Sequence, residues 1–329
     1  MNLHNNTELF KTAVTVAAQE LDIPSIYIEK DYWVTFVLHT IFHNAIGPDV
    51  VFKGGTALSK CFNLIDRFSE DIDLVVLRKE GESNNQLTNK IRDISHIVSA
   101  VLPEVELENV TQKRGMNRKT AYNYNKLFTG NFGQVRDVII VEASWLGNSE
   151  PRSKKNISSY IYDMMLKNNQ LNIAAEHGLL PFEAMVLDPK RTICEKIMSL
   201  VRFSYTEDPL GDLKKKIRHT YDLYKLLNDT QLSEFFNSKS FDELILKVAN
   251  DDVISYKSNN QWLVNHPLKS KIFSKLEIVW KELKDTYNGA FKDLVFKDFP
   301  GEEKILANLL TIKNRLESIE WNIEVEAKE

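Results

Sequence analysis

Apolar residues recur along this chain at two spacings, and each spacing predicts a different element. Phe10, Val14, Ala17 and Leu21 fall at helical intervals over a helix from Thr7 to Glu20. Pro24 breaks it, Ser25 is placed to cap a second helix, and Ile28, Trp33, Phe36, Val37 and Ile41 carry that helix onward. Val50, Val51 and Phe52 form a short apolar strand, Glu70 to Leu77 alternates as a second, and Val138 to Trp145 reads as a third. Between them a helix runs through Ile91, Ile94, Ile97 and Val101 and stops before Pro103, after the polar loop RKEGESNNQ. The polar run Glu150 to Ser159 reads as a linker. Beyond it the pattern is helical, with stripes at Ile193, Ile197, Leu200 and Val201, at Leu276, Val279, Leu283 and Tyr287, and from Ile305 to Ile319. The acidic tail WNIEVEAKE is expected to fray. The pattern predicts an α/β domain over 1–155 and a mainly helical domain over 156–329.

Composition narrows the class. With 329 residues the chain can bury a large core, and 43% hydrophobic with 27% charged residues is ordinary for a globular protein. A formal charge of −4 argues against a strongly basic nucleic-acid binder but leaves room for a local basic groove. The two cysteines, Cys61 and Cys194, lack metal-ligand spacing and read as small buried residues in a reducing compartment. No signal-peptide core and no membrane-length apolar run is apparent, so a cytoplasmic location is expected.

The chemistry concentrates between Val50 and Leu77. Gly54 and Gly55 let the chain turn tightly after the first strand, and Thr56 is placed to start a short helix running through Ala57, Leu58 and Leu64. Backbone N–H groups at such a helix start can face an anion. Further on, Asp71 and Asp73 lie two apart on a strand and share a face, while Ile72 and Leu74 point to the core. Carboxylates about 5 Å apart repel by roughly 3 kcal/mol at an effective dielectric of 20. Such a pair persists when it is solvated, when one member is protonated, or when a cation sits between them. Taken singly, the glycines are an ordinary turn and the acids a solvated strand end. In this order, with one short helix between, they point to metal-assisted phosphoryl or nucleotidyl transfer.

GGTALSK followed by RFSEDIDL resembles the polymerase-β-like nucleotidyltransferases. With YIEKDYWV (Tyr27 to Val34), RTICEKIMSL (Arg191 to Leu200) and RHTYDLYKL (Arg218 to Leu226), it resembles more narrowly the AbiEii/AbiGii toxin family. The resemblance implies an α/β (α+β) nucleotidyltransferase domain with a mixed sheet. It implies a nucleoside triphosphate substrate and Mg²⁺ or Mn²⁺ held by Asp71, Asp73 and a third acid. Gly54, Gly55, Thr56, Arg67, Ser69 and Lys196 are then the nucleotide-binding set. Asp222 joins Asp71, Asp73, Glu142 and Lys196 as a catalytic residue, with Lys196 and Asp222 closing over the nucleotide from the second domain. The helix carrying the Glu29-Lys30-Asp31 triplet would buttress the site, although the triplet also reads as a charged first turn. The acceptor implied is RNA, at the 3′ end of tRNA. The role implied is a growth-arresting toxin with a separate antitoxin.

Several positions carry two readings. Glu142 completes a three-carboxylate set if its strand pairs with that of Asp71 and Asp73, with Asp137 as the competitor. Lys196 lies beside an apolar stripe, where a lysine usually snorkels to the surface. Arg218, His219 and Asp222 cluster on one helix face, which an intrahelical ion pair also explains. From Thr111 to Phe128, Lys113, Arg114, Arg118, Lys119 and Lys126 interleave with Tyr122, Tyr124 and Phe128. That suits an RNA contact, or a hairpin with an aromatic core face and a wet cationic face. The alternatives to RNA transfer are a nucleotidyltransferase acting on a small molecule or protein, and a non-catalytic nucleotide-binding protein.

Overall fold

The computed structural model describes residues 1–108, 110–130 and 135–325. Residues 326–329, the end of the acidic tail, lie outside the described residues. The chain divides into two compact units, each built from discontinuous segments.

The first unit comprises 1–63, 67–145 and 152–187. Its opening helix, α1 (Thr7–Leu21), is capped by Asn6, whose side chain accepts the Leu9 N–H. The next helix, α2 (Ser25–Phe42), begins at Ser25 itself, and Pro24 occupies the cap position expected for that serine. Most of α2 is buried, including polar residues, so a one-sided stripe understates it. Then follow β1 (Val50–Lys53), α3 (Gly54–Phe62), β2 (Asp71–Val76) and α4 (Asn84–Ser99), the last opened by a Ser83–Gln86 capping box. The helix expected to start at Thr56 starts two residues earlier and ends at Phe62, before Leu64. Asn63, at φ +53°, terminates it.

The rest of this unit is β3 (Glu104–Val105), β4 (Gln112–Lys113), β5 (Asn117–Tyr122), β6 (Ile139–Ser144), β7 (Arg152–Ile157), α5 (Tyr160–Lys167), α6 (Leu171–Glu176) and β8 (Phe182–Leu187). The sheet is mixed, in the order β3-β5-β6-β2-β1-β8-β7, with β4 paired to β5. At its centre β2 runs antiparallel to β1 and parallel to β6. Apolar residues from β1, β2 and β6 are buried in the core. The polar run from Glu150 to Ser159 is not a linker throughout. RSKKNI is an edge strand that, among the described residues, pairs only with β8, and lysines on such an edge guard it against pairing with another chain. Because β7 and β8 belong to this sheet, the first unit continues to Leu187, beyond residue 155.

The second unit comprises 64–66, 146–151 and 188–329 and is helical among its described residues. It contains α7 (Pro189–Phe203), α8 (Pro209–Lys215), α9 (Ile217–Leu227), α10 (Thr230–Phe236) and α11 (Lys239–Ser255). The series ends with α12 (Lys271–Ser274), α13 (Leu276–Thr286) and α14 (Glu302–Leu316). The Ile305, Leu309, Ile312 and Leu316 stripe is fully buried. Among the described residues no helix is long and apolar enough to cross a membrane.

Candidate active site

The glycine turn and the acid strand meet directly. Lys53, which ends β1, is the register partner of Asp73, so Gly54 follows at the level of that carboxylate. Gly54 has φ +81°, and a Cβ built there falls 2.1 Å from Asp73 Oδ2. Any side chain at this position is therefore excluded twice, by backbone conformation and by the acid. A Cβ on Gly55 would lie 2.7 Å from Arg67 Nη2 and 2.8 Å from Ser69 Oγ. Arg67 and Ser69 thus line the turn beside which sequence placed them. No side chain caps the start of α3, so its first N–H groups keep the orientation and partial positive charge that favour an anion. Thr56 is buried, and its hydroxyl donates to the Asp71 carbonyl at 2.6 Å, tying the helix to the acid strand.

Asp71 and Asp73 lie on one face of β2, and β6 supplies the third acid at register. Asp73 pairs with Glu142, and Asp71 with Ile140. Asp137 instead precedes β6, is largely exposed and forms an ion pair with Lys126 at 2.8 Å. Burial, then the neighbouring Glu142 and Asp71 carboxylates, push the Asp73 carboxyl up to about 7. Asp71 Oδ1 is buried without a hydrogen-bond partner. An orphaned carboxylate oxygen beside a second acid is a donor set suited to a hard divalent cation, whose remaining positions substrate phosphates and water can fill. Glu142, in register with Asp73, is engaged by β5. Its Oε2 accepts from Lys119 Nζ at 2.9 Å and its Oε1 from Asn117 Nδ2 at 3.1 Å. Accordingly, among the described residues no group of three or more His, Cys, Asp or Glu side chains stands in metal-holding geometry.

The Glu29-Lys30-Asp31 triplet is buried throughout, which rules out a merely charged first turn. Each residue grips a different element. Glu29 accepts the backbone N–H groups of Leu127 and Phe128. Lys30 donates to Glu70 and to the Arg136 carbonyl, immediately before β2 and near the start of β6. Asp31 pairs with Lys60 of α3 and accepts the Tyr160 N–H at the start of α5. The helix therefore braces both acid strands and α3 from one turn. Glu70 and Lys60 were not singled out from sequence. The signal was three charges flanked on both sides by apolar triplets, in a helix with no polar face to put them on.

Along the strip from Thr111 to Phe128 several side chains are engaged within the fold. Tyr122 and Tyr124 are buried. Lys113 pairs with Glu104, Arg118 donates to Ser95, Lys119 pairs with Glu142 and Lys126 with Asp137.

In the second unit, Lys196 of α7 is buried rather than snorkelling, and its Nζ lies 2.7 Å from Asp222 Oδ2 on α9. His219 Nδ1 is 3.4 Å from the same nitrogen. Asp222 is fully buried, and its charge is matched by a lysine from another helix, an arrangement that helical spacing within α9 does not reveal.

Gly54 lies against the Asp73 carboxylate, the helix that follows starts uncapped, and Asp71, two residues along β2, shares the face of Asp73, so an anion and a cation could be bound side by side. The sequence model for "Nucleotidyl transferase AbiEii toxin, Type IV TA system" matches residues 36–308, and the chain belongs to this family of nucleotidyltransferase toxins. Among solved structures, MenT4, a nucleotidyltransferase toxin from Mycobacterium tuberculosis H37Rv, is similar over 92% of this chain and 98% of its own, with 17% identity and a TM-score of 0.46. No curated protein matches the chain in sequence.

Proposed function

We propose that the protein moves a nucleoside monophosphate from a nucleoside triphosphate to an RNA hydroxyl, the 3′ end of tRNA, in a divalent-metal-dependent reaction: the hydroxyl oxygen bonds to the α-phosphorus, the bond to the β-phosphate breaks, and pyrophosphate leaves. The observation that carries the proposal is the contact of Gly54 with Asp73, which sets a phosphate-binding turn against the acids. Gly54, Gly55 and Thr56 present backbone N–H groups to the phosphates, with Arg67 and Ser69 beside them. Asp71 and Asp73 hold Mg²⁺ or Mn²⁺, with Glu142 as the third ligand. When bound, the metal lowers the acceptor hydroxyl's pKa and offsets charge on the phosphates. Lys196 is assigned to the triphosphate, with Asp222 fixing its ammonium. Growth arrest by this transfer, relieved by a cognate antitoxin, is the corresponding physiological role.

A second reading has its own support. Three of the cations between Lys113 and Lys126 pair with Glu104, Glu142 and Asp137, which supports a small-molecule or protein hydroxyl as acceptor. Incubation with each labelled nucleoside triphosphate, Mg²⁺ and total RNA separates the two. Label on an RNA band is the expected result, and label confined to protein or a small product replaces the RNA acceptor with the second reading. Asp73→Asn should abolish transfer in either case.

A further inference from the structure

Across the centre of the sheet, four register partners stand in one row: Lys53 on β1, Asp73 on β2, Glu142 on β6 and Lys119 on β5. Directly opposed residues share a face, so two acids are bracketed by two lysines. The row is not symmetric. Asn117, two residues before Lys119, lies on the same face of β5, and the pair occupies both oxygens of Glu142. Asp71 Oδ1 and Asn117 Oδ1, by contrast, are buried oxygens without partners. Turning the Asn117 amide over would set its oxygen against the Glu142 carboxylate, so the observed orientation is the one that the carboxylate enforces. Glutamate also has one more rotatable bond than aspartate, so Glu142 reaches alternative partners more readily than the two aspartates do.

We propose that Lys119 and Asn117 form a latch that competes with a divalent cation for Glu142. In the cation-free protein the latch holds the third carboxylate on β5. A cation arriving at Asp71 and Asp73 recruits Glu142 by displacing the Lys119 ammonium and the Asn117 amide. Affinity for the cation is thereby lower than three unencumbered carboxylates would give. The proposal rests on the metal-dependent reading above, and its test is chosen so that the two can fail separately.

The test is Mn²⁺ binding to the full-length protein, followed as loss of the free-ion electron paramagnetic resonance signal, with no nucleotide present. Breaking a charge-assisted contact is expected to tighten binding about tenfold in Lys119→Met. Asn117→Ala, which changes no charge, should tighten it by a smaller factor. Neither substitution should have an effect in a Glu142→Gln background, because the latch acts only through that carboxylate. Equal tightening by Lys119→Met in both backgrounds would reduce Lys119 to a general repulsion and overturn the latch. So would unchanged or weaker binding in both single variants. Should Lys119→Met fail to fold, Asn117→Ala with and without Glu142→Gln decides the matter alone. Mn²⁺ binding that is lost in Asp71→Asn but indifferent to the latch variants leaves the metal reading standing. Absence of Mn²⁺ binding by the unmodified protein removes both.

Discussion

Lys30 and Glu70, forty residues apart, meet as an ion pair with their side chains essentially sealed from solvent. Glu70 also accepts the Arg136 N–H, and Lys30 donates to the Arg136 carbonyl. One buried pair thus joins α2, the residue before Asp71 and the approach to the strand of Glu142. Burial pushes the Glu70 carboxyl up and the Lys30 ammonium down, and in each case the partner's opposite charge works against that shift. Removing one partner should be costly. Glu70→Gln is predicted to lower unfolding stability by about 3–5 kcal/mol in urea titrations. The double change Lys30→Met with Glu70→Leu should recover much of that loss. A double variant no more stable than the single one would show that the pair is not coupled.

Gly54 and Gly81 offer a matched comparison. Both have positive φ, +81° and +78°, but a Cβ on Gly81 meets nothing within 4 Å whereas one on Gly54 strikes the Asp73 carboxylate. Gly81→Ala should cost about 1–2 kcal/mol of backbone strain and leave nucleotidyl transfer intact. Gly54→Ala should carry the same strain and abolish transfer as well, because Asp73 must move. Equal activity in the two variants would separate the glycine turn from the chemistry.

Asp73 is predicted to trade stability for function. Its carboxyl is raised to about 7, against about 3.9 for a free aspartate, so in the cation-free protein its stabilising contribution declines as pH rises between those values. Above 7 the folded chain carries the full penalty of the charge. Asp73→Asn removes it, and with chelator present should raise the melting temperature at pH 8 by about 2–4 °C for each kcal/mol relieved. The gain should shrink toward pH 5. A melting temperature at pH 8 that falls on substitution would contradict this account.

Asp66 titrates in the opposite sense. Burial raises its carboxyl, but hydrogen bonds from Lys225 and Lys297 outweigh that and leave it below the usual range. A depressed folded value means stabilisation that is complete above the unfolded pKa and lost as pH falls through the folded one. Unfolding free energy between pH 5 and pH 2 should therefore decline less steeply in Asp66→Asn than in the parent. Parallel curves would show that the two lysines do not stabilise the charged form.

The site was more legible in the sequence than the frame around it. The turn at Gly54 and Gly55, the shared face of Asp71 and Asp73 and the apolar strands flanking them are consequences of local geometry, which period and residue type encode. The edge strand RSKKNI was misread because an exposed strand needs no apolar alternation once a neighbour supplies its hydrogen bonds. Lys30, Glu70, Lys60 and Lys119 matter through partners 23 to 106 residues away, and no local pattern announces such partners.

Short-range order thus determined where a tight glycine turn and two like-charged side chains on one strand face would form. Folding decided which acid stands opposite Asp73, since that rests on the register between β2 and β6. It also decided that Glu142 would be engaged by Lys119, because strand pairing brings together residues whose separation along the chain carries no information about their distance in space.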